Sequence, residues 1–269
     1  MPHSRSGDAA NFAHGRTYRH QRRVLAFALK LFVWSYMADP SKRGAQQIAF
    51  KVGMSETRLT LREWYAGRGK VALPWLALSL LIACSMFLGT YAVATKMPQA
   101  AESQVPMFIF SGNSAADALD LLLRNSMVLL LHLLVCVAAY LARRAVPMQA
   151  KYTSGVNRWV HENAGGVAML AVAGMTVYSL AWQTWQLGNA LHSASDTLDI
   201  SAASLLVRAS LHGIPELTAM FLPLAACLIL GWRKQWNQML AASVLCACIS
   251  LPILVAAAAT ETWATRLLF

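Results

Sequence analysis

The chain has 269 residues, 57% hydrophobic and only 13% charged, with a net charge of +11 and a mean hydropathy of +0.44. Soluble globular chains are about a quarter charged, so an ordinary water-soluble domain is excluded, and the long apolar blocks read as an all-α, polytopic helical membrane protein. The five cysteines (Cys84, Cys136, Cys227, Cys246 and Cys248) all lie inside those blocks, where Cys behaves as a small hydrophobe, and their odd number argues against a disulfide framework.

Residues 1–70 form a basic N-terminal region holding 13 of the 23 Lys/Arg. Such an end invites anionic lipid heads or nucleic acid, but the stronger reading is a positive flank kept in the cytoplasm. The first twenty residues are polar, so no cleavable signal peptide is expected. Residues 24–37 are apolar except for Lys30. They are too short to span a bilayer core of about 30 Å, and read as an interfacial helix or the core of a small cytoplasmic domain.

Residues 45–66 read as two short helices about a tight turn at Gly53, with Ile48, Ala49 and Val52 on one apolar face. Gly suits a left-handed turn residue. Ser55 is a candidate cap for the second helix. The pattern resembles a helix-turn-helix unit, which would present Ser55, Arg58 and Arg62 to DNA phosphate. The alternative is a helical hairpin at the membrane surface. Arg62 stands where such a unit would carry an apolar core residue.

The remainder, 71–269, reads as a transmembrane domain of about five spans, near 71–95, 126–142, 164–188, 200–231 and 239–259. Trp75 and Tyr91 fall near the ends of the first span, and Trp182 and Trp185 at the end of the third, as interfacial aromatics do. Ser114 to Asp117 has the form of a capping box, opening a helix that leads into the second span. His132 stands alone on that span and reads as a packing residue. The segment 200–232 is too long for one straight crossing: 33 helical residues reach about 50 Å at 1.5 Å each. A break is therefore predicted at 212–215, where Gly213 and Pro215 lie together. Lys/Arg number 13, 4 and 2 in segments 1–70, 143–163 and 232–238, against 2, 0 and 1 in 96–124, 189–199 and 260–269. This bias places the N-terminus in the cytoplasm and the C-terminus outside.

The fourth span carries the most informative residues. Arg208, His212 and Glu216 recur every four positions, so they share a face of a continuous helix. Ionisable groups are costly in a bilayer, and such a cluster is the default functional candidate. Its bland reading is a self-satisfied kink, with Arg208 or His212 paired to Glu216. One His and one carboxylate are too few for a metal site. No His-Glu-x-x-His motif and no complete catalytic set are present, so neither an enzyme nor a cofactor is expected.

The run Leu211-His212-Gly213-Ile214-Pro215-Glu216-Leu217, followed by an Ala/Leu/Gly-rich helix ending at Gly231, resembles the stage II sporulation protein M family of bacterial membrane proteins. That family's hallmark is a His-Gly-x-x-Glu element at the head of a late membrane helix. Asn125, opening the second span, and Gly188-Asn189, after the third, fall in the family's order. The family's paired Asn is here Asn125-Ser126, and its Asn-Gly is here Gly188-Asn189. The resemblance covers about residues 110–232. It implies about five spans in a bacterial cytoplasmic membrane and a non-enzymatic scaffold or assembly role in envelope processes.

Three functions compete on this reading. A scaffold would have membrane-protein partners or form a homo-oligomer in the lipid bilayer. A transporter or permease component would use the broken span as a midplane polar site, although Pro252 in the fifth span is the sole candidate for a second break. A membrane-tethered regulator would bind nucleic acid through 45–66.

Overall fold

A computed structural model describes residues 40–67, 70–96, 114–149, 154–162 and 164–264. Residues 1–39, including the apolar segment 24–37, lie outside the described residues. The chain divides into two compact units, Met1–Phe50 and Lys51–Phe269. The first is described only from Pro40, where helix α1 (Pro40–Ala66) begins.

Among its described residues the second unit is helical apart from short turns and contains no strand. After the remainder of α1 come α2 (Ala72–Lys96), α3 (Ser114–Gln149), α4 (Gly155–Glu162), α5 (Ala164–Leu198), α6 (Ala202–Trp232) and α7 (Met239–Ala259). A 3-10 turn at Trp236–Gln238 precedes α7 and a π-helical turn at Thr260–Ala264 follows it. Among the described residues four helical stretches are long and apolar enough to cross a membrane: Ala72–Lys96, Ala115–Leu141, Ala202–Trp232 and Trp236–Trp263. The chain is thus a polytopic helical membrane protein. The remaining predicted span, 164–188, falls on α5. Helices continue where loops were expected, since α3 runs on to Gln149 and α5 to Leu198.

Helix α6 is the centre of the bundle and packs against α2, α3, α5 and α7. Its second half, from Ala219 to Cys227, is buried without interruption. Between helices in lipid the hydrophobic effect supplies little drive, so association rests on close packing and hydrogen bonds. The Ala-rich sequence here allows such packing. Leu222, Ala225, Ala226, Cys227 and Leu230 meet Trp75 of α2, Cys136 and Tyr140 of α3, and Met239, Ala242 and Cys246 of α7 in one core. A Schellman-type end, with Gln235 N–H bonded to the Leu230 carbonyl and Lys234 N–H to that of Gly231, closes α6. Lys234 adopts a left-handed φ of 57° there.

Three sequence expectations are corrected. Helix α6 is helical from Ala202 to Trp232 rather than divided at 212–215. A proline removes one backbone bond, but neighbouring helices in a bundle can satisfy what it frees. Residues 45–66 are not two helices about a turn: they lie within the single helix α1. Gly53 is buried in α1 because a Cβ there would stand 2.7 Å from Tyr140 Oη and 2.8 Å from Leu240 Cδ1. It permits close helix approach and makes no turn. Trp75 is not an interfacial anchor: it is 1% exposed, with Trp64 edge-on at 5.4 Å between ring centroids.

Candidate functional site

Glu216 projects from α6 toward the start of the second predicted span, where Asn125 lies buried on α3. The Asn125 Nδ2 donates to Glu216 Oε1 at 2.7 Å. A carboxylate taken out of water needs such a donor, and the bond fastens α3 to α6. One helical turn before Glu216, His212 Nε2 stands 3.8 Å from Glu261 Oε2, with their side chains only 16% and 18% exposed. Glu261 belongs to the π-helical turn after α7, a rare geometry that often marks functional positions. It also lies within electrostatic reach of Glu216. Two residues of α6, one of α3 and one from the end of α7 thus form one polar cluster.

The predicted four-residue spacing holds, because α6 is continuous: Arg208, His212 and Glu216 follow on successive turns. Arg208 is half-buried and engaged in interactions of its own. Glu216 is met by Asn125 and His212 by Glu261. Glu261 was missed in the sequence, where a single acid beyond a 21-residue apolar helix reads as external tail. The available signal was the helical phase of α7 carried past Ala259.

The other motif residues separate. Gly213 makes room for Phe87 of α2: a Cβ on it would stand 2.8 Å from Phe87 Cζ. Pro215 sits exposed within α6. Gly188, buried on α5, faces α2, and a Cβ there would stand 2.5 Å from Val93 Cβ. Asn189 is half-buried beside it, and among the described residues no hydrogen bond joins it to the cluster. Of the motif positions, the structure therefore brings Asn125, His212, Gly213 and Glu216 to one region and leaves Gly188 and Asn189 at the α2–α5 seam.

A second proline in α6 has consequences the sequence reading passed over. Pro223 has no N–H, so the Ala219 carbonyl loses its helical donor. Ser250 Oγ of α7 donates to that carbonyl at 2.6 Å. The neighbouring carbonyls also accept side-chain donors: Ser79 of α2 bonds Thr218, His132 Nδ1 lies 2.9 Å from Met220, and Cys136 Sγ lies 3.2 Å from Pro223. Three helices thus reach one stretch of α6 backbone. His132, also stacked obliquely on Phe221 at 5.6 Å, is the packing residue its isolation predicted.

Of the residues proposed to meet DNA, Ser55 bonds back to the Val52 carbonyl at 2.8 Å inside α1, and Arg58 and Arg62 are exposed on the same helix. They have no separate recognition helix. Among the described residues no group of three or more His, Cys, Asp or Glu has an arrangement that would hold a metal ion. No family model, curated protein or solved structure matches this chain.

Proposed function

We propose that this chain is a non-enzymatic scaffold or assembly component of a bacterial cytoplasmic membrane, the role that its resemblance to the stage II sporulation protein M family implies. The observation that carries the reading is the bond between Asn125 and Glu216. Two motif positions far apart in the chain satisfy each other across α3 and α6. Polar side chains used in this way hold membrane helices in register. A rigid bundle with its polar groups turned on one another suits a platform for other membrane proteins.

The test is cross-linking of the tagged full chain in its membrane, with mass spectrometry of what is captured, for wild type and Glu216→Gln. The Gln amide oxygen still accepts from Asn125, so the bundle should persist. Specific, near-stoichiometric partners in both are the expected result. His212→Ala should act by lowering protein abundance. Recovery of well-folded protein alone in both would sink the scaffold.

One observation favours a second reading, a transport component: three ionisable groups, His212, Glu216 and Glu261, meet in one partly buried place. Under it, Glu216→Gln and Glu261→Gln would leave abundance intact and abolish substrate movement.

A further inference from the structure

We infer that residues 51–66 of α1 lie in the headgroup layer of the membrane and bind anionic phospholipid through Lys51, Arg58 and Arg62. Their height follows from the contacts of one face. Gly53, Thr57 and Thr60 are buried and Trp64 is half-buried, and their spacing of four, three and four residues makes one stripe of a helix. Gly53 meets Tyr140 and Leu240, and Trp64 packs edge-on against Trp75. Tyr140 stands at the end of the apolar stretch Ala115–Leu141, and Leu240 and Trp75 stand near the starts of Trp236–Trp263 and Ala72–Lys96. Trp75, Tyr140 and Met239 share one core, so these span ends lie together. From Gly53 to Trp64 the helix covers roughly 16 Å at 1.5 Å per residue. Both points nevertheless meet the bundle at one level, so this stretch crosses the end of the spans and does not continue along them. Trp232, the last residue of α6, is exposed at the same end, where an indole suits the headgroup boundary.

Lys51, Ser55, Arg58 and Arg62 repeat the spacing of the docked stripe two residues out of step. Two residues turn a helix by about 200°, so these four side chains point away from the bundle, and all are exposed. Among the described residues no carboxylate pairs with Lys51, Arg58 or Arg62. Exposed apolar side chains border the basic stripe on both sides, Met54 and Tyr65 along one edge and Val52 and Leu59 along the other. A helix lying in the membrane surface has this pattern: apolar groups reach the acyl boundary and long cationic side chains extend to phosphate. The Lys/Arg excess assigns this end to the cytoplasmic leaflet, where anionic lipid attracts basic segments. A nucleic acid or an acidic protein would neutralise the stripe but leave Val52, Met54 and Leu59 in water.

The experiment uses the full chain in nanodiscs of phosphatidylglycerol and phosphatidylcholine at equal mole fraction. A benzophenone amino acid takes the place of Tyr65, beside the stripe and 89% exposed. After irradiation, mass spectrometry identifies what the probe has captured. The same probe in place of Val255, on the exposed face of α7, reports the lipid ratio elsewhere around the protein. The expected result is capture of phospholipid at position 65, with phosphatidylglycerol enriched at least about fivefold over position 255, the factor that a single cation at an anionic surface supplies. Changing the three cations together, Lys51→Gln, Arg58→Gln and Arg62→Gln, should bring the enrichment close to unity. Arg58→Lys with Arg62→Lys should keep it, because charge and not the guanidinium fork is what the surface reads. Capture of a second copy of the chain at position 65, or of no lipid there while position 255 captures it, overturns the headgroup-level placement. Capture without enrichment, or an enrichment that survives the three Gln substitutions, overturns the assignment of anionic lipid to the stripe.

Discussion

Pro223 leaves the Ala219 carbonyl without a helical donor, and Ser250 fills the place from α7. The arrangement makes two residues energetically one. Ser250→Ala should destabilise the protein by about 1 kcal/mol, since membrane side-chain hydrogen bonds average somewhat less and a stranded buried carbonyl adds to the cost. In a Pro223→Ala background, the restored N–H bonds the same carbonyl and the Ser250→Ala cost should largely vanish. Steric-trap unfolding in bicelles would measure all four proteins. Equal costs in the two backgrounds would mean that Ser250 packs by shape and that its hydrogen bond contributes nothing separable.

At the scale of elements, helices were legible and their contacts were not. The spans predicted at 71–95 and 239–259 meet α2 and α7 within a residue, because twenty apolar residues in lipid have helix as their one economical form. The turn read at Gly53 failed for a physical reason. Glycine serves a left-handed turn and a close helix contact equally well, and only the neighbour decides which. Here the neighbours are Tyr140 and Leu240, far along the chain. Trp75 was misplaced in the same way: a position near a span end does not show that Trp64 folds back over it. The cluster was half-visible, since the four-residue spacing of His212 and Glu216 lies in one helix, whereas Asn125 and Glu261 arrive from other helices. Gly53→Ala tests the contact. Forcing a Cβ against Tyr140 should cost about 1–3 kcal/mol. Tyr140→Phe removes the nearest atom, the Oη at 2.7 Å, and leaves Cζ at 3.2 Å, so the double variant should recover part of the loss. If Gly53→Ala is neutral in thermal unfolding, α1 does not dock on the bundle through this face.

Around the α6 core, Lys51–Phe269 contains two further seams of different chemistry. Small residues close α2 on α5, where Gly89 and Gly188 admit Thr184 and Val93. Polar residues close α3 and the end of α7 on α6, through Asn125, Glu216, His212 and Glu261. The seams share no side chain, so their energies should add. Asn125→Leu strands the Glu216 carboxylate, and should cost about 2 kcal/mol. Gly188→Ala forces Val93 aside, and the two losses should sum to within about 0.5 kcal/mol. Within the polar seam the rule reverses. Once Asn125 is Leu, Glu216→Met removes the group that was left unsatisfied, and replacing both partners by apolar groups approaches neutrality. The double variant should then be at least as stable as Asn125→Leu alone. Should the Asn125 and Glu216 losses instead add like those of the separate seams, each group would have its own solvation and the bond between them would not fasten the helices. Water would then reach Glu216 and Glu261, which is what a transport site needs and a closed scaffold does not.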